Sequence, residues 1–170
     1  MFNHHKGQFL AQWQVHDDYM TRKVAWEYVK GYIPKDKVLW EAFYGGDGDS
    51  GRYLEELGFK VIHEPIDFFK HDKGDIVVTN PAFSKAKETL ARLAELDKPF
   101  MLILPTAKLT TRYMARYFGN KGLQIIIPPR RLQFDRWTDG KKDEIQHNRC
   151  SFDCFYYCYK LNLPRDIIHL

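Results

Sequence analysis

Asp75-Ile76-Val77-Val78-Thr79-Asn80-Pro81-Ala82-Phe83 is a short apolar run that stops at an amide and a proline. Continuous apolar residues, rather than alternating ones, predict a strand covered on both faces. Similar runs lie on either side of it: Val38 to Phe43, Lys60 to His63, Phe100 to Leu104, Gln124 to Ile127 and the aromatic Phe152 to Leu161. Between them fall helix-forming stretches, Thr21 to Lys30, Ser50 to Leu57, Ser84 to Leu96 and Thr106 to Phe118. Ser50, Ser84 and Thr106 are their predicted caps. Strands alternating with helices predict right-handed βαβ units and an α/β fold with a mostly parallel sheet of about six strands. The last two strands have no helix between them and are expected to pair antiparallel at one edge.

Upstream, Val38-Leu39-Trp40-Glu41-Ala42-Phe43-Tyr44-Gly45-Gly46-Asp47-Gly48-Asp49-Ser50-Gly51 reads as a strand, a glycine-rich turn and the start of a helix. Glycines there permit a tight turn and the close approach of a ligand. Gly46, Gly48 and Gly51 meet the spacing of a dinucleotide fingerprint, which leaves a nicotinamide dehydrogenase open. However, Glu41, Asp47 and Asp49 would repel a pyrophosphate, and no Gly-Lys-Ser/Thr follows, so a nucleoside triphosphate loop is excluded. Acidic groups suit a cationic sulfonium ligand better. About twenty residues further on, Glu64 ends the next strand and is placed to accept from ribose hydroxyls. Asp67 beside Phe68 is suited to an adenine, the acid reading its amino group and the ring stacking on it.

Asn80-Pro81-Ala82-Phe83 suggests a second piece of chemistry. An exocyclic amine on a nucleic-acid base is a poor nucleophile because its lone pair is delocalised into the ring. Two acceptors that hold its hydrogens favour a reactive, pyramidal nitrogen. The Asn80 side-chain oxygen and the Pro81 carbonyl are candidates, and Phe83 offers a stacking face for a base drawn out of its helix. An ordinary Asn-Pro turn is the plainer alternative.

Taken together, the two loops resemble the amino-methyltransferases whose signature is Asn/Asp-Pro-Pro-Tyr/Phe, above all the DNA adenine-N6 type. The resemblance spans roughly residues 17 to 127. It implies a Rossmann-like class I methyltransferase fold that uses S-adenosyl-L-methionine. The carried-over cofactor residues are Tyr19, Thr21, Glu41, Phe43, Gly45, Gly46, Asp47, Gly48, Glu64, Asp67, Phe68 and Asn80. The catalytic set is Asn80, Pro81, Ala82 and Phe83. Tyr19 and Thr21 fall in a segment that closes over the methionine end of the cofactor in some members. The chain departs from the pattern at Ala82 and Ala42, where the family has proline, and at the doubled Gly45-Gly46. Only ten residues separate Glu64 from Asp75, too few for the family's next helix and strand, so the sheet is expected to be trimmed at one edge.

With 170 residues, the chain is expected to form a single domain, 1–170, without a separate target-recognition domain. Recognition would then fall to loops, a second protomer or a partner subunit. A net charge of +4 leans weakly toward a polyanion, DNA or RNA. Arg130, Arg131, Arg136, Trp137, Lys141 and Lys142 are the candidate contacts, in a stretch from Arg136 that reads as a polar loop. Cys150, Cys154 and Cys158 lack metal spacing and read as packing residues, so no metal is expected. No signal segment or spanning run is seen, which predicts an intracellular, cytoplasmic protein with no membrane partner. RNA adenine, cytosine N4, a protein glutamine amide and a non-catalytic, nucleic-acid-binding subunit remain the alternatives.

Overall fold

The computed structural model describes residues 19–43, 48–138, 141–143 and 152–170, with the backbone alone for 136–138 and 141–143. In chain order its elements are β1 (Tyr19–Thr21), α1 (Lys23–Val29), β2 (Val38–Trp40), α2 (Asp49–Glu56), β3 (Lys60–Ile62), β4 (Ile76–Thr79), α3 (Ala86–Leu96), β5 (Phe100–Pro105), α4 (Arg112–Phe118), β6 (Gln124–Ile127), β7 (Phe134–Thr138), β8 (Lys141–Asp143), β9 (Cys154–Tyr159) and β10 (Ile167–His169). Short 3-10 turns at Phe83–Lys85 and Thr106–Thr110 lead toward α3 and α4.

The apolar runs become the centre of a seven-stranded sheet ordered β10-β6-β9-β5-β4-β2-β3. Strands β3, β2, β4 and β5 are parallel neighbours. Every residue of β4 is buried, and Phe100 to Leu104 are 0% exposed. Period-two alternation sends these side chains to opposite faces. Ile76, Val78, Met101 and Ile103 pack with Trp26 and Val29 of α1 and Leu54 of α2. Val77, Phe100, Leu102 and Leu104 pack with Leu90 and Leu93 of α3 and Met114 and Phe118 of α4. Each large side chain so buried contributes about 1.5–3 kcal/mol. The fold is Rossmann-like α/β, as expected. From β2 the chain steps outward to β3 and then back across to β4, so the crevice between the ends of β2 and β4 is the topological switch point.

Several expectations need correction. The main sheet has seven strands rather than six, because Ile167–His169 adds a parallel edge beside β6. The antiparallel pairing of the two late strands is present, but not at an edge. Strand β9 runs antiparallel to both β5 and β6 and lies between them. Its Tyr156, Tyr157 and Cys158 are 0% exposed, in keeping with an interior strand. Cys154 and Cys158 are buried, and Cys150 lies outside the described residues. The stretch from Arg136, read as a loop, contains β7 and β8, which join β1 in a separate three-stranded sheet.

The predicted caps also differ. The N-cap of α2 is Gly48, whose φ of 77° favours glycine, and Ser50 lies inside the helix. Lys85, not Ser84, precedes α3. The expected helix from Thr106 breaks at Thr111, whose hydroxyl accepts the Met114 N–H at 3.3 Å and so starts α4. The trimmed edge is present: β3 ends the sheet, and the residues that follow it form turns. Lys98 holds those turns through Asp72 and the Lys73 carbonyl. Among the described residues no helix is long and apolar enough to cross a membrane.

Gly51 lets α2 lie directly on the residue after β3. A Cβ built on Gly51 would stand 2.3 Å from both Cβ and Cγ of His63. Gly51→Ala is therefore expected to lose about 1–3 kcal/mol by overpacking, read as a lower midpoint in urea unfolding with an unchanged slope.

Candidate active site

Glu41 directly follows β2 and Thr79 ends β4, its parallel neighbour. Glu41 is 2% exposed. Its Oε2 accepts the Ser50 hydroxyl at 2.6 Å, and its Oε1 accepts the Thr79 hydroxyl and the Phe43 N–H at 3.3 Å. Ser50 in turn accepts the Trp26 indole N–H at 2.9 Å. One carboxyl thus ties the end of β2, the end of β4 and the start of α2 together. Both of its oxygens already accept from the protein, which makes Glu41 a scaffold of the glycine loop. Sequence reading missed Thr79 and Trp26 and took Ser50 only as a cap.

Burial pushes the Glu41 carboxyl up to about 7, against the pull of Ser50, Thr79 and the Phe43 N–H. The folded chain then holds a proton that the unfolded chain has released. This group's contribution to stability is complete below about pH 4.5 and is lost as pH rises through about 7. Its full size is roughly 3 kcal/mol. Between about pH 5.5 and 8 the wild-type melting temperature is expected to fall several degrees more than that of Glu41→Gln, which carries no titrating proton there. Parallel melting curves for the two proteins across that range would contradict this.

Asn80 follows β4 and is 7% exposed. Its Nδ2 donates to the Tyr19 carbonyl at 3.0 Å, which fastens β1 across the end of β4. That bond also fixes the amide orientation, since only the NH₂ can serve a carbonyl. The Asn80 Oδ1 is left buried with no partner among the described residues, and so is the Thr21 hydroxyl. An unpaired buried acceptor costs about 1–3 kcal/mol. Such an atom is explained when a ligand brings the donor.

The rings around Asn80 form a cluster. Tyr19 lies nearly parallel to Phe83, with centroids 5.8 Å apart at 23°. Phe152 stands edge-on to both, at 5.2 Å from Tyr19 and 5.3 Å from Phe83. Phe134, 1% exposed, closes the group. Phe83 is half-buried, and Tyr19 already lies along it. Pro81 is buried and Ala82 is 3% exposed. Ala82 has a φ of −53°, within the range of proline, so the backbone there matches what a second proline would impose.

The other predicted cofactor residues are dispersed around this edge. Phe43 packs on Phe68 at 5.2 Å, and Phe68 is a core ring, 2% exposed, that also meets Trp40. Phe68 therefore offers no open face for stacking; the adjacent Phe69 is 36% exposed. Asp67 accepts the Phe69 N–H at 2.9 Å and pairs with Lys70 at 3.3 Å, so it shapes its own turn. Glu64 is exposed beyond β3. Asp49, part of the acidic turn, pairs with Arg52. Gly48 caps α2, while Gly45, Gly46 and Asp47 lie outside the described residues.

Of the predicted nucleic-acid contacts, Arg130 is exposed. Arg131 is bound in a two-pronged pair to Asp153, at 2.8 and 3.2 Å, which lowers its claim on a phosphate. Arg136 and Trp137 fall on β7, and Lys141 and Lys142 on β8; their side chains lie outside the described residues. No group of metal-ligating side chains occurs among the described residues.

No protein-family model matches the chain, and no curated protein matches it. Among solved structures, a candidate RNA methyltransferase, PH1948 from Pyrococcus horikoshii, aligns with 80% of this chain and 79% of its own at 17% identity and a TM-score of 0.43.

Proposed function

We propose that this chain transfers a methyl group from S-adenosylmethionine to the exocyclic amine of a nucleic-acid base, with adenine N6 in DNA as the first candidate and adenine in RNA as the second. The observation that carries the reading is the Asn80 Oδ1. It is a buried acceptor, held in one orientation by Tyr19, beside the switch point and without a protein donor among the described residues. An amine hydrogen is the donor it lacks.

The groups present suit the cofactor. Gly48 caps α2 with its backbone in the left-handed region, and the Thr21 hydroxyl, without a partner among the described residues, lies on β1, which crosses the same edge. S-adenosylmethionine, when bound, supplies an electrophilic methyl on a sulfonium. The chain's own residues do the rest. Asn80 Oδ1 accepts one amine hydrogen and the Pro81 carbonyl is placed in sequence to accept the other, which localises the nitrogen lone pair. Tyr19 and Phe83 offer an aromatic wall for the base, and the surrounding rings exclude water. Glu41 holds the two loops in register, so most of the rate comes from positioning. No side chain needs to act as base before transfer, because the amine can lose its proton afterwards. A target-reading partner or second protomer remains part of the proposal.

Calorimetric titration with S-adenosylmethionine tests the reading. One-to-one binding is expected. A folded protein that gives no binding heat and no thermal shift with the cofactor would contradict it.

A further inference from the structure

Between Asp97 and Asp135 the chain carries no acidic residue and seven basic ones: Lys98, Lys108, Arg112, Arg116, Lys121, Arg130 and Arg131. Two of these are neutralised within the fold, Lys98 by Asp72 and Arg131 by Asp153. Arg112 and Arg116 are not. They sit one turn apart on α4, both exposed, and neither forms an ion pair among the described residues. Like charges at this spacing cost a helix a few tenths of a kcal/mol.

Lys87, in the first turn of α3, faces the same arginines across a shallow depression. Tyr113 and Tyr117 complete its lining, both half-buried, and no carboxylate takes part. The Arg116 guanidinium lies 5.8 Å from the Tyr117 ring centroid, which restricts its freedom before any ligand arrives. The depression is tied to the candidate active site by chain geometry. Lys87 is in the helix that follows Asn80 through one 3-10 turn. Helix α4 follows β5, the strand beside β4, through the 3-10 turn at Thr106–Thr110.

We propose that Arg112, Arg116 and Lys87 hold the phosphodiester backbone of the nucleic acid whose base is presented to Asn80. This rests on the methylation reading for the identity of the base, but not for the surface. Cations without counter-ions among the described residues, interleaved with tyrosines, match a polyanion with stacking groups. The contacts are to phosphate and read no sequence. Arg130 lies on another part of the surface, in a depression shared with the paired Arg131 and Asp153, and is not needed.

The test is fluorescence anisotropy of the full chain with end-labelled oligonucleotides, single-stranded and duplex, in DNA and RNA form, across a salt series. Arg112→Ala/Arg116→Ala removes two contacts. The log–log salt slope on duplex should become shallower by about 2, and affinity at low salt should fall about ten-fold or more. Arg112→Lys/Arg116→Lys, which keeps both charges, should retain the slope. Both arginines are exposed, so melting curves and S-adenosylmethionine titrations of the double alanine variant should match the wild type. An unchanged slope in the double alanine variant overturns the surface. So does arginine-dependent binding to phosphatidylserine vesicles that is tighter than to any oligonucleotide at matched salt. If wild type methylates nucleic acid while the slope ignores the arginines, the surface alone fails. If the slope depends on them but no methyl is transferred, the surface stands and the methylation reading fails.

Discussion

Asn80→Ala is expected to lower methyl transfer about 100- to 1,000-fold while S-adenosylmethionine still binds. The magnitude is that of removing one preorganised hydrogen-bonding group aimed at developing charge. The side chain has two separable jobs. Its Nδ2 holds the Tyr19 carbonyl at 3.0 Å, and its Oδ1 has no protein partner among the described residues. Alanine removes both. The stability effect should nevertheless be small. The lost hydrogen bond is worth about 1 kcal/mol, and the same change relieves a buried acceptor that was unpaired. Asn80→Asp separates the two jobs. It keeps an acceptor toward the amine but sets a carboxylate against the Tyr19 carbonyl, so it should retain more activity than alanine and melt lower. Equal transfer by Asn80→Ala and wild type would remove Asn80 from the chemistry.

The second large effect is expected at Glu41. Glu41→Ala strips the acceptor from the Ser50 and Thr79 hydroxyls and one of the two acceptors from the Phe43 N–H, all beside a residue that is 2% exposed. It also leaves a cavity between the ends of β2 and β4. Loss of about 2–4 kcal/mol follows from stranded donors and lost packing, or roughly 5–15 °C in melting temperature. Because the same carboxyl pins α2 through Ser50, cofactor affinity should fall at least about ten-fold even where the variant remains folded. Glu41→Gln keeps the volume and one carbonyl acceptor, and should lose much less. A Glu41→Ala protein that melts with wild type would show that the network is not what holds the two loops together.

These two residues also mark what could be read from sequence. Asn80 was legible because Pro81 follows it and an unbroken apolar strand precedes it. Those are local signals, and β4 is buried on both faces as they require. Glu41 was legible as a strand-end acid, but its role was not. Thr79 lies 38 residues away and Ser50 nine, and nothing in a linear chain links three such residues. Strand β10 was missed for the same reason. It is three residues long, and its pairing is decided by Ile125 to Ile127, some forty positions earlier. Phe68 was read as a ligand face from its neighbour Asp67, whereas Trp40 and Phe43 had already claimed it for the core. Among the basic residues, the adjacent Arg130 and Arg131 are alike in sequence, yet Asp153 pairs with Arg131 from 22 residues away. The absence of every acid from 98 to 134 was readable, and it points to α4 instead.

The central claim is that Asn80 presents its oxygen to a base amine. It is tested most directly by incubating the full chain with isotope-labelled S-adenosylmethionine and either DNA or RNA, digesting the product to nucleosides and identifying the labelled one by mass spectrometry. Label on the exocyclic nitrogen of adenine, lower by about 100-fold or more with Asn80→Ala, is the predicted result. Label on a ring carbon, on sugar or on protein, or equal label with Asn80→Ala, would contradict it.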